Sequence, residues 1–313
     1  MTKIAVIGAG YWGKKHVHDY IELGVKPIVC DLNEESLKFY RDNFGVETTT
    51  DYRKILSNRE VVGASICTPN ETHYKICKEF LETGKNVLLE KPMTLNSKEA
   101  EELVKIAREK HLVLAVGHVF RFNNALRKIK EMLEKKELGD VFIVKLAWTN
   151  LEPIFEERDV LFDLAPHPFD IVHFLFEKYP TEISCIGGAY RRNGGEEAAF
   201  VNCKIDSSII NLEISWLTPQ KNRTLTIVGS KKTAFADCLA QTVKIFDNSK
   251  NTLETLPIIP SNSLREELKN FLERIKNRKL SSIADGEVGV KIIKMIETAR
   301  RSLDEKKTIK FVE

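Results

Sequence analysis

GAGYWG, the stretch from Gly8 to Gly13, decides the fold of this chain. It follows an apolar run at residues 4–7, which predicts a strand, and it opens an amphipathic stretch at residues 12–23, which predicts a helix. A G-x-G-x-x-G sequence between a strand and a helix is typical of a dinucleotide-binding turn, because its glycines let the backbone approach a pyrophosphate. The alternative is a glycine-rich turn that binds no ligand.

The same alternation of strand and helix continues through the first part of the chain. Short apolar runs alternate with amphipathic stretches, which is the pattern of a parallel sheet with right-handed crossover helices. The predicted strands are residues 4–7, 27–31, 63–67, 86–89 and 112–117, and the predicted helices are residues 12–23, 33–44, 71–82 and 97–110. We therefore predict an α/β domain, a Rossmann doubly wound parallel sheet, over residues 1–120.

The pattern changes beyond residue 120. Strand-like runs follow one another closely, as in a large open, mostly antiparallel sheet. The runs are residues 141–148, 182–186, 199–205, 209–216, 223–229, 233–237 and 242–247, and the helical stretches are residues 124–136, 163–177, 263–277 and 286–304. These features predict a second, α+β domain over residues 121–313.

Composition excludes several classes of protein. The 313 residues carry 48 Lys and Arg against 45 Asp and Glu, and a dispersed net charge of +3 argues against nucleic acid as the main partner. No apolar run approaches the length of a membrane span, and the N-terminus does not have the pattern of a signal peptide. The six cysteines show no paired spacing, which predicts neither a metal site nor disulfides. We expect a cytoplasmic protein with no membrane partner.

Asp31 indicates which dinucleotide is bound. It ends the second predicted strand about 20 residues after the glycine loop, where a carboxylate accepts hydrogen bonds from the adenosine ribose and repels a 2′-phosphate. Leu32 and Asn33 follow it in place of the arginine that accommodates NADP, so NAD is favoured over NADP. Alternatively, Asp31 caps the next helix, and it can fill both roles.

Two further strand ends carry polar residues. Ligands of open α/β sheets bind outside the carboxyl ends of the strands, which places Thr68 and Asn70 beside the cofactor. His73 falls in the first turn of the following helix, where capping or packing is an equal alternative. Glu90 and Lys91 end another strand, and there the lysine ammonium can polarise a substrate oxygen. A surface ion pair between these two residues is the alternative, and this stretch alone does not decide between the two.

At this point the sequence resembles the Gfo/Idh/MocA family, the group of glucose–fructose oxidoreductase and inositol dehydrogenase. The similarity covers nearly the whole chain in the family's order, so the set is specific although each motif is short. The motifs are GAGYWGKKH (8–16), TPNETH (68–73), EKP (90–92), GHVFRFN (117–123), LGD (138–140), DLAPHPFD (163–170) and IVGSKKT (227–233).

The resemblance implies a catalytic role for Lys91, a cis peptide bond before Pro92, and a second domain whose open sheet forms homodimers or homotetramers. It also aligns Asp163 and His167 with the aspartate and histidine of the family's D-x-G-x-H motif. Here Ala165 replaces the usual glycine.

Without the resemblance, the sequence does not decide whether Asp163 and His167 have catalytic or structural roles. Their spacing of four places both on one face of a helix, where His167 can take a proton from an alcohol and Asp163 can orient the substrate. Alternatively, Asp163 is a helix N-cap and His167 is a core histidine. Arg121 and Asn123 are further candidates for substrate binding, although a salt bridge explains Arg121 equally well.

We therefore predict an NAD(P)-dependent dehydrogenase, with NAD favoured, that transfers a hydride between nicotinamide and a secondary hydroxyl of a sugar, polyol or nucleotide-sugar. The DLAPH variant resembles enzymes that oxidise the 3-hydroxyl of nucleotide-sugars. The alternatives are a reductase of another carbonyl or imine and an NAD-binding regulatory or sensor protein. The predicted cofactor ligands are Gly8, Gly10, Tyr11, Trp12, Gly13, Asp31, Thr68, Asn70, His73, Glu90 and Lys91. The predicted catalytic or substrate residues are Lys91, Arg121, Asn123, Asp163 and His167.

Overall fold

The computed structural model describes residues 3–155, 158–191, 193–280 and 283–312. The chain forms two compact units. The first unit consists of Met1–Val119 and Asn262–Ile293, and the second unit consists of Phe120–Ser261 and Lys294–Glu313.

The first unit contains a six-stranded parallel sheet flanked by helices. Its strands are β1 (Lys3–Ile7), β2 (Ile28–Cys30), β3 (Thr48–Thr49), β4 (Val61–Ile66), β5 (Asn86–Leu89) and β6 (Leu114–Val116). Its first helices are α1 (Tyr11–Glu22), α2 (Glu34–Phe44), α3 (Arg53–Leu56), α4 (His73–Glu82) and α5 (Ser97–Glu109). The strand order is β3-β2-β1-β4-β5-β6. The chain adds strands first to one side of β1 and then, from β4 onward, to its other side, and ligands of doubly wound sheets bind at this switch point between β1 and β4. The predicted Rossmann fold is confirmed.

The second unit contains a nine-stranded sheet. Its strands are β7 (Val141–Leu151), β8 (Glu182–Gly188), β9 (Ala198–Ile205), β10 (Ser208–Ser215), β11 (Leu217–Gly229), β12 (Lys232–Asp237), β13 (Thr242–Asp247), β14 (Thr252–Leu256) and β15 (Ile309–Lys310). Its helices are α6 (Asn124–Glu134), α7 (Val160–Leu164) and α8 (Pro166–Phe176). The sheet order is β14-β13-β12-β11-β7-β10-β9-β8-β15, and the described pairs are antiparallel except for β7 with β10. The predicted α+β domain is confirmed.

Alternating burial gives this sheet one apolar inner face. In β9 and β10 the buried side chains include Val201, Ile210 and Leu212, while their neighbours along each strand are more exposed. Several large apolar side chains nevertheless lie exposed on the strands, namely Phe142, Ile186, Phe200, Ile209 and Phe235.

The chain returns to the first unit through α9 (Ser263–Lys276) and the beginning of α10 (Gly286–Glu305). Leu264, Leu268 and Phe271 of α9 join the buried cluster that contains Val17 and Tyr20 of α1. The sequence prediction placed residues 262–293 in the second domain. An apolar helix face shows that a helix packs, but it does not show which of two cores it packs against.

Three short strands, β3, β14 and β15, were not predicted, because two to five residues without an alternation of several buried and exposed side chains give little periodic signal. The helix predicted over residues 163–177 is two helices, α7 and α8. Ala165 between them keeps helical backbone angles, and Pro166 begins α8 without an N–H to continue the hydrogen-bond ladder.

Candidate functional site

The glycine loop lies at the carboxyl end of β1, where its three glycines have different surroundings. Gly8 has a φ of +88°, and a Cβ there would lie 2.7 Å from the carbonyl oxygen of Cys67. A Cβ at Gly13 would lie 1.8 Å from the carbonyl oxygen of Gly8. At Gly10 no described atom lies within 4 Å of that position. Packing therefore requires Gly8 and Gly13, whereas Gly10 leaves a backbone surface open at the start of α1, which fits a pyrophosphate.

Asp31 joins the end of β2 to this loop. Its Oδ2 accepts the Ala9 N–H at 2.5 Å, and its Oδ1 accepts the Asn33 N–H at 2.8 Å. The N-cap of α2 is Asn33, whose side chain accepts the N–H groups of Glu35 and Ser36. Asp31 is therefore not the cap considered from the sequence, and its carboxylate lies against the loop that would receive the dinucleotide.

Thr68 and Asn70 lie in the turn that follows β4, and His73 begins α4 directly after it. Asn70 opens a 3-10 turn, Asn70–Thr72, and the Thr68 hydroxyl accepts a hydrogen bond from that of Thr72 at 2.7 Å. His73 is fully buried, with its ring nitrogens 2.9 Å from the Thr68 carbonyl oxygen and 2.8 Å from that of Pro92. Burial lowers the pKa of His73, so the ring is neutral at pH 7 and donates to one of these oxygens. This geometry supports the packing role that was weighed for His73.

Glu90 and Lys91 follow β5 at the same edge of the sheet. Glu90 is only 8% exposed, and its Oε1 lies 2.9 Å from Nε2 of the buried His16. Burial raises the pKa of Glu90, but the hydrogen bond with His16 and the charge and backbone N–H of Lys91 outweigh it, so the pKa lies below its usual value. Glu90 is therefore buried against His16 and does not lie on the surface, and the catalytic role of Lys91 remains a prediction. Lys91 is partly exposed, and the peptide bond to Pro92 is cis, as the resemblance implies.

The second unit holds Asp163 and His167. Asp163 lies inside α7, whose N-cap is Asp159, and its Oδ2 accepts the indole N–H of Trp216 at 3.1 Å. The N-cap alternative for Asp163 is therefore wrong.

His167 lies in the first turn of α8 and is 8% exposed. Its ring centre lies 5.1 Å from that of Phe120 and 6.3 Å from that of Trp148. The imidazole thus has aromatic walls, which limit the directions in which it can meet a substrate.

Arg121 and Asn123 have structural partners. Arg121 donates from Nε to Asp170 Oδ1 at 2.7 Å, and one of its terminal nitrogens lies 2.9 Å from His173 Nδ1. Asn123 caps α6 and donates from its amide to the Cys238 carbonyl at 2.9 Å. Both residues are almost fully buried. Their predicted role in substrate binding remains a prediction, and this geometry favours the salt bridge for Arg121.

Arg223 was missed by the sequence analysis. Its guanidinium is buried, donates to the carbonyls of Thr149 and Asn222 and to Asn150 Oδ1, and lies 5.5 Å from the ring centre of Trp148. Burial lowers the pKa of Arg223 to about 10. Its place in the strand could have indicated it. Arg223 lies on β11 two and four residues before the buried Leu225 and Ile227, so its side chain is on the same buried face of the strand.

No metal site or membrane span accompanies these residues in the described parts of the chain. There, no group of three or more His, Cys, Asp or Glu side chains is arranged to hold a metal ion. No helix in the same ranges has both the length and the apolar character that crossing a bilayer requires.

Comparison with known families matches both parts of the chain. Residues 2–118 match the oxidoreductase family with an NAD-binding Rossmann fold, GFO/IDH/MocA, and residues 126–235 match the GFO/IDH/MocA C-terminal domain. This chain belongs to the GFO/IDH/MocA family. Its first unit is an NAD-binding Rossmann domain, and the protein is a nicotinamide-dependent dehydrogenase.

Individual family members are similar over almost the full length. UDP-N-acetylglucosamine 3-dehydrogenase from Acidithiobacillus ferrooxidans is 25% identical, over 93% of this chain and 94% of its own. Its solved structure has a TM-score of 0.87, covering 97% of this chain and 98% of its own at 24% identity. Myo-inositol 2-dehydrogenase from Thermotoga maritima is 22% identical over 99% of both chains. A levoglucosan dehydrogenase solved with NADH and levoglucosan shares the fold, with a TM-score of 0.90 at 16% identity over 99% of both chains.

Proposed function

We propose that this dehydrogenase transfers a hydride between NAD and a secondary hydroxyl of a sugar, polyol or nucleotide-sugar, and that its substrate is the 3-hydroxyl of a UDP-sugar. The observation that carries the proposal is the position of Lys91. It follows β5 at the carboxyl end of the parallel sheet, where the glycine loop follows β1 and Asp31 follows β2. The similarity to the UDP-N-acetylglucosamine 3-dehydrogenase over 93% of this chain supports the finer assignment.

Three side chains have distinct proposed roles. The Lys91 ammonium donates a hydrogen bond to the substrate oxygen and stabilises negative charge that develops there. His167 accepts the hydroxyl proton as the hydride leaves, since an imidazole nitrogen can act as a general base. Asp163, fixed by the Trp216 indole, orients the substrate. Bound NAD supplies the hydride acceptor.

The test is reduction of NAD by a panel of UDP-N-acetylglucosamine, other UDP-sugars, inositols and free sugars, followed by NADH absorbance. We expect turnover with a UDP-sugar and a 3-keto product in NMR spectra. Turnover with inositols alone would contradict the nucleotide-sugar assignment. Tight NAD binding without reduction by any substrate would favour a sensor, and reduction of carbonyls or imines without alcohol oxidation would favour a reductase.

We also propose that the protein is a cytoplasmic homodimer or homotetramer that prefers NAD to NADP. The exposed apolar side chains on the nine-stranded sheet, among them Phe200 and Phe235, suit an interface between copies. The described cysteines are unpaired, which fits a reducing compartment.

The cofactor preference is tested by Asp31→Asn. Loss of the carboxylate is expected to weaken NAD binding about 10- to 100-fold, because a hydrogen bond to a charged acceptor contributes roughly 1.5–3 kcal/mol. The affinity for NADP should fall less or rise, since the charge that repels the 2′-phosphate is gone. Kd values for both dinucleotides check this.

Asn33→Ala is the matched control for Asp31. It removes the N-cap of α2 and leaves the Asp31 carboxylate in place, so it should lower the unfolding free energy by about 1 kcal/mol and leave the ratio of NAD to NADP affinity unchanged. An unaltered ratio in Asp31→Asn would show that Asp31 acts only on the glycine loop.

A further inference from the structure

We propose that His16 and Glu90 form a buried pair that positions Lys91, so that Glu90 acts through the backbone of Lys91 and not as a cofactor ligand. This inference rests on the proposed catalytic role of Lys91. It concerns two residues that bear on the reaction only through the lysine.

Two contacts through the Glu90 carboxylate connect α1 to Lys91. His16 is fully buried on α1, and its Nε2 lies 2.9 Å from Glu90 Oε1. The other carboxylate oxygen of Glu90, Oε2, accepts the backbone N–H of Lys91 at 3.2 Å. Each oxygen of one buried carboxylate therefore has a different partner, and the second partner belongs to the residue that carries the ammonium.

Charge assigns the donor in the first contact. The pKa of Glu90 lies below its usual value, so the carboxylate is ionised at pH 7 and can only accept hydrogen bonds. Nε2 of His16 must therefore carry the proton. Nδ1 of His16 has no hydrogen-bond partner among the described residues, so the ring is anchored through Glu90.

Gly117 closes the space around this carboxylate. It follows β6, its N–H donates to the Leu89 carbonyl at 2.8 Å, and a Cβ there would lie 2.9 Å from Glu90 Oε2 and 3.3 Å from Glu90 Cα. The Oε2 atom that accepts the Lys91 N–H is therefore confined on the side of Gly117. Confinement of Oε2 fits a role for Glu90 in fixing the backbone of Lys91.

Stability alone does not explain the pair. A buried carboxylate and its hydrogen-bond partner can often be replaced together by apolar residues of similar size with little loss of stability, because the cost of desolvating the carboxylate offsets the contact. A displacement of about 1 Å at a reacting group, in contrast, can cost about 100-fold in rate. A pair that fixes the backbone of a catalytic residue therefore affects turnover more than it affects folding.

The experiment replaces the pair by apolar residues in the full chain, His16→Leu together with Glu90→Met. We expect kcat to fall by about tenfold or more, while the Kd for NAD and the Tm stay close to those of the wild type. Hydrogen exchange of the Lys91 amide should become faster. Glu90→Gln is the conservative variant: its amide oxygen still accepts the Lys91 N–H and the other tautomer of His16 accepts from its amide nitrogen, so most of kcat should return.

Gly117→Ala tests whether the position of the Glu90 carboxylate matters for turnover, without removing a polar group. Its methyl group would displace the carboxylate, so kcat should again fall with NAD affinity retained. Gly188→Ala in the second unit, where a Cβ meets only ordinary contacts of 3.5 Å or more with Tyr190, controls for the glycine substitution.

Three outcomes would overturn the inference. They are wild-type kcat in the apolar pair, a loss of activity that follows a matching loss of NAD affinity, and equal losses in the apolar pair and in Glu90→Gln. The second outcome would return Glu90 to the cofactor ligands. If Lys91 variants themselves keep wild-type turnover, the proposed function fails first, and that result is separate from these.

Discussion

Lys91→Met is expected to lower kcat about 100- to 1,000-fold, which is the typical effect of removing one hydrogen-bond donor to a developing oxyanion. Methionine keeps most of the apolar length of the side chain and removes the ammonium. Because the proposed contact strengthens as the hydride leaves, the loss should fall on kcat, with the Kd for NAD almost unchanged. Steady-state kinetics and equilibrium binding of NAD measure the two quantities separately.

Lys98→Met is the matched control, because Lys98 is an exposed lysine on α5 in the same unit. It should keep wild-type kcat, which excludes a general effect of losing one positive charge. Turnover at the wild-type rate in Lys91→Met would rule out the proposed role. The double variant with His167→Gln adds a second criterion. If both residues act on one chemical step, their losses are strongly non-additive.

Gly10→Ala is expected to lose NAD affinity but not stability, whereas Gly13→Ala, only three residues away, is expected to lose stability. The methyl group at Gly10 meets no described atom, and the backbone there is extended with a φ of −71°, so Tm should stay the same or rise slightly. NAD affinity should fall about tenfold or more, because the methyl group would occupy the surface that the pyrophosphate approaches. Thermal unfolding with and without NAD measures both effects.

Gly13→Ala should destabilise the first unit itself. Its methyl group would lie 1.8 Å from the Gly8 carbonyl oxygen, so α1 must move away from the loop, and overpacking of this kind costs about 1–3 kcal/mol or more. A clear fall in Tm without any cofactor is the expected signature. Wild-type NAD affinity in Gly10→Ala would show that the dinucleotide does not approach the loop at this residue.

The parts of the site that were predictable depend on local backbone chemistry. A turn that needs Gly8 in a positive φ and a helix start that needs Gly13 produce a short, fixed spacing in the sequence. The position of Asp31 beside the loop was predictable for the same reason, since the end of a strand and the distance from the loop are both visible in one stretch.

The partners of buried charges were not predictable in this way. Glu90 meets His16, which is 74 residues earlier, and Arg121 meets Asp170, which is 49 residues later. A single sequence shows that such residues are polar and close to strand or helix ends, but not which opposite charge the fold delivers. The cap of α7 shows a finer limit. Asp159 and Asp163 are both plausible caps, and which of them begins the helix depends on the packing of the following residues.

The return of α9 to the first unit has a consequence for synthesis of the protein. The apolar face of α9 supplies Leu264, Leu268 and Phe271 to a cluster in the first unit whose other buried members lie before residue 120. A ribosome adding about 5–20 residues per second needs roughly 7–30 s to pass from Val119 to Asn262. During that interval the emerging Rossmann sheet lacks one of its covering helices, so its apolar surface is exposed to chaperones while the second unit is still being made.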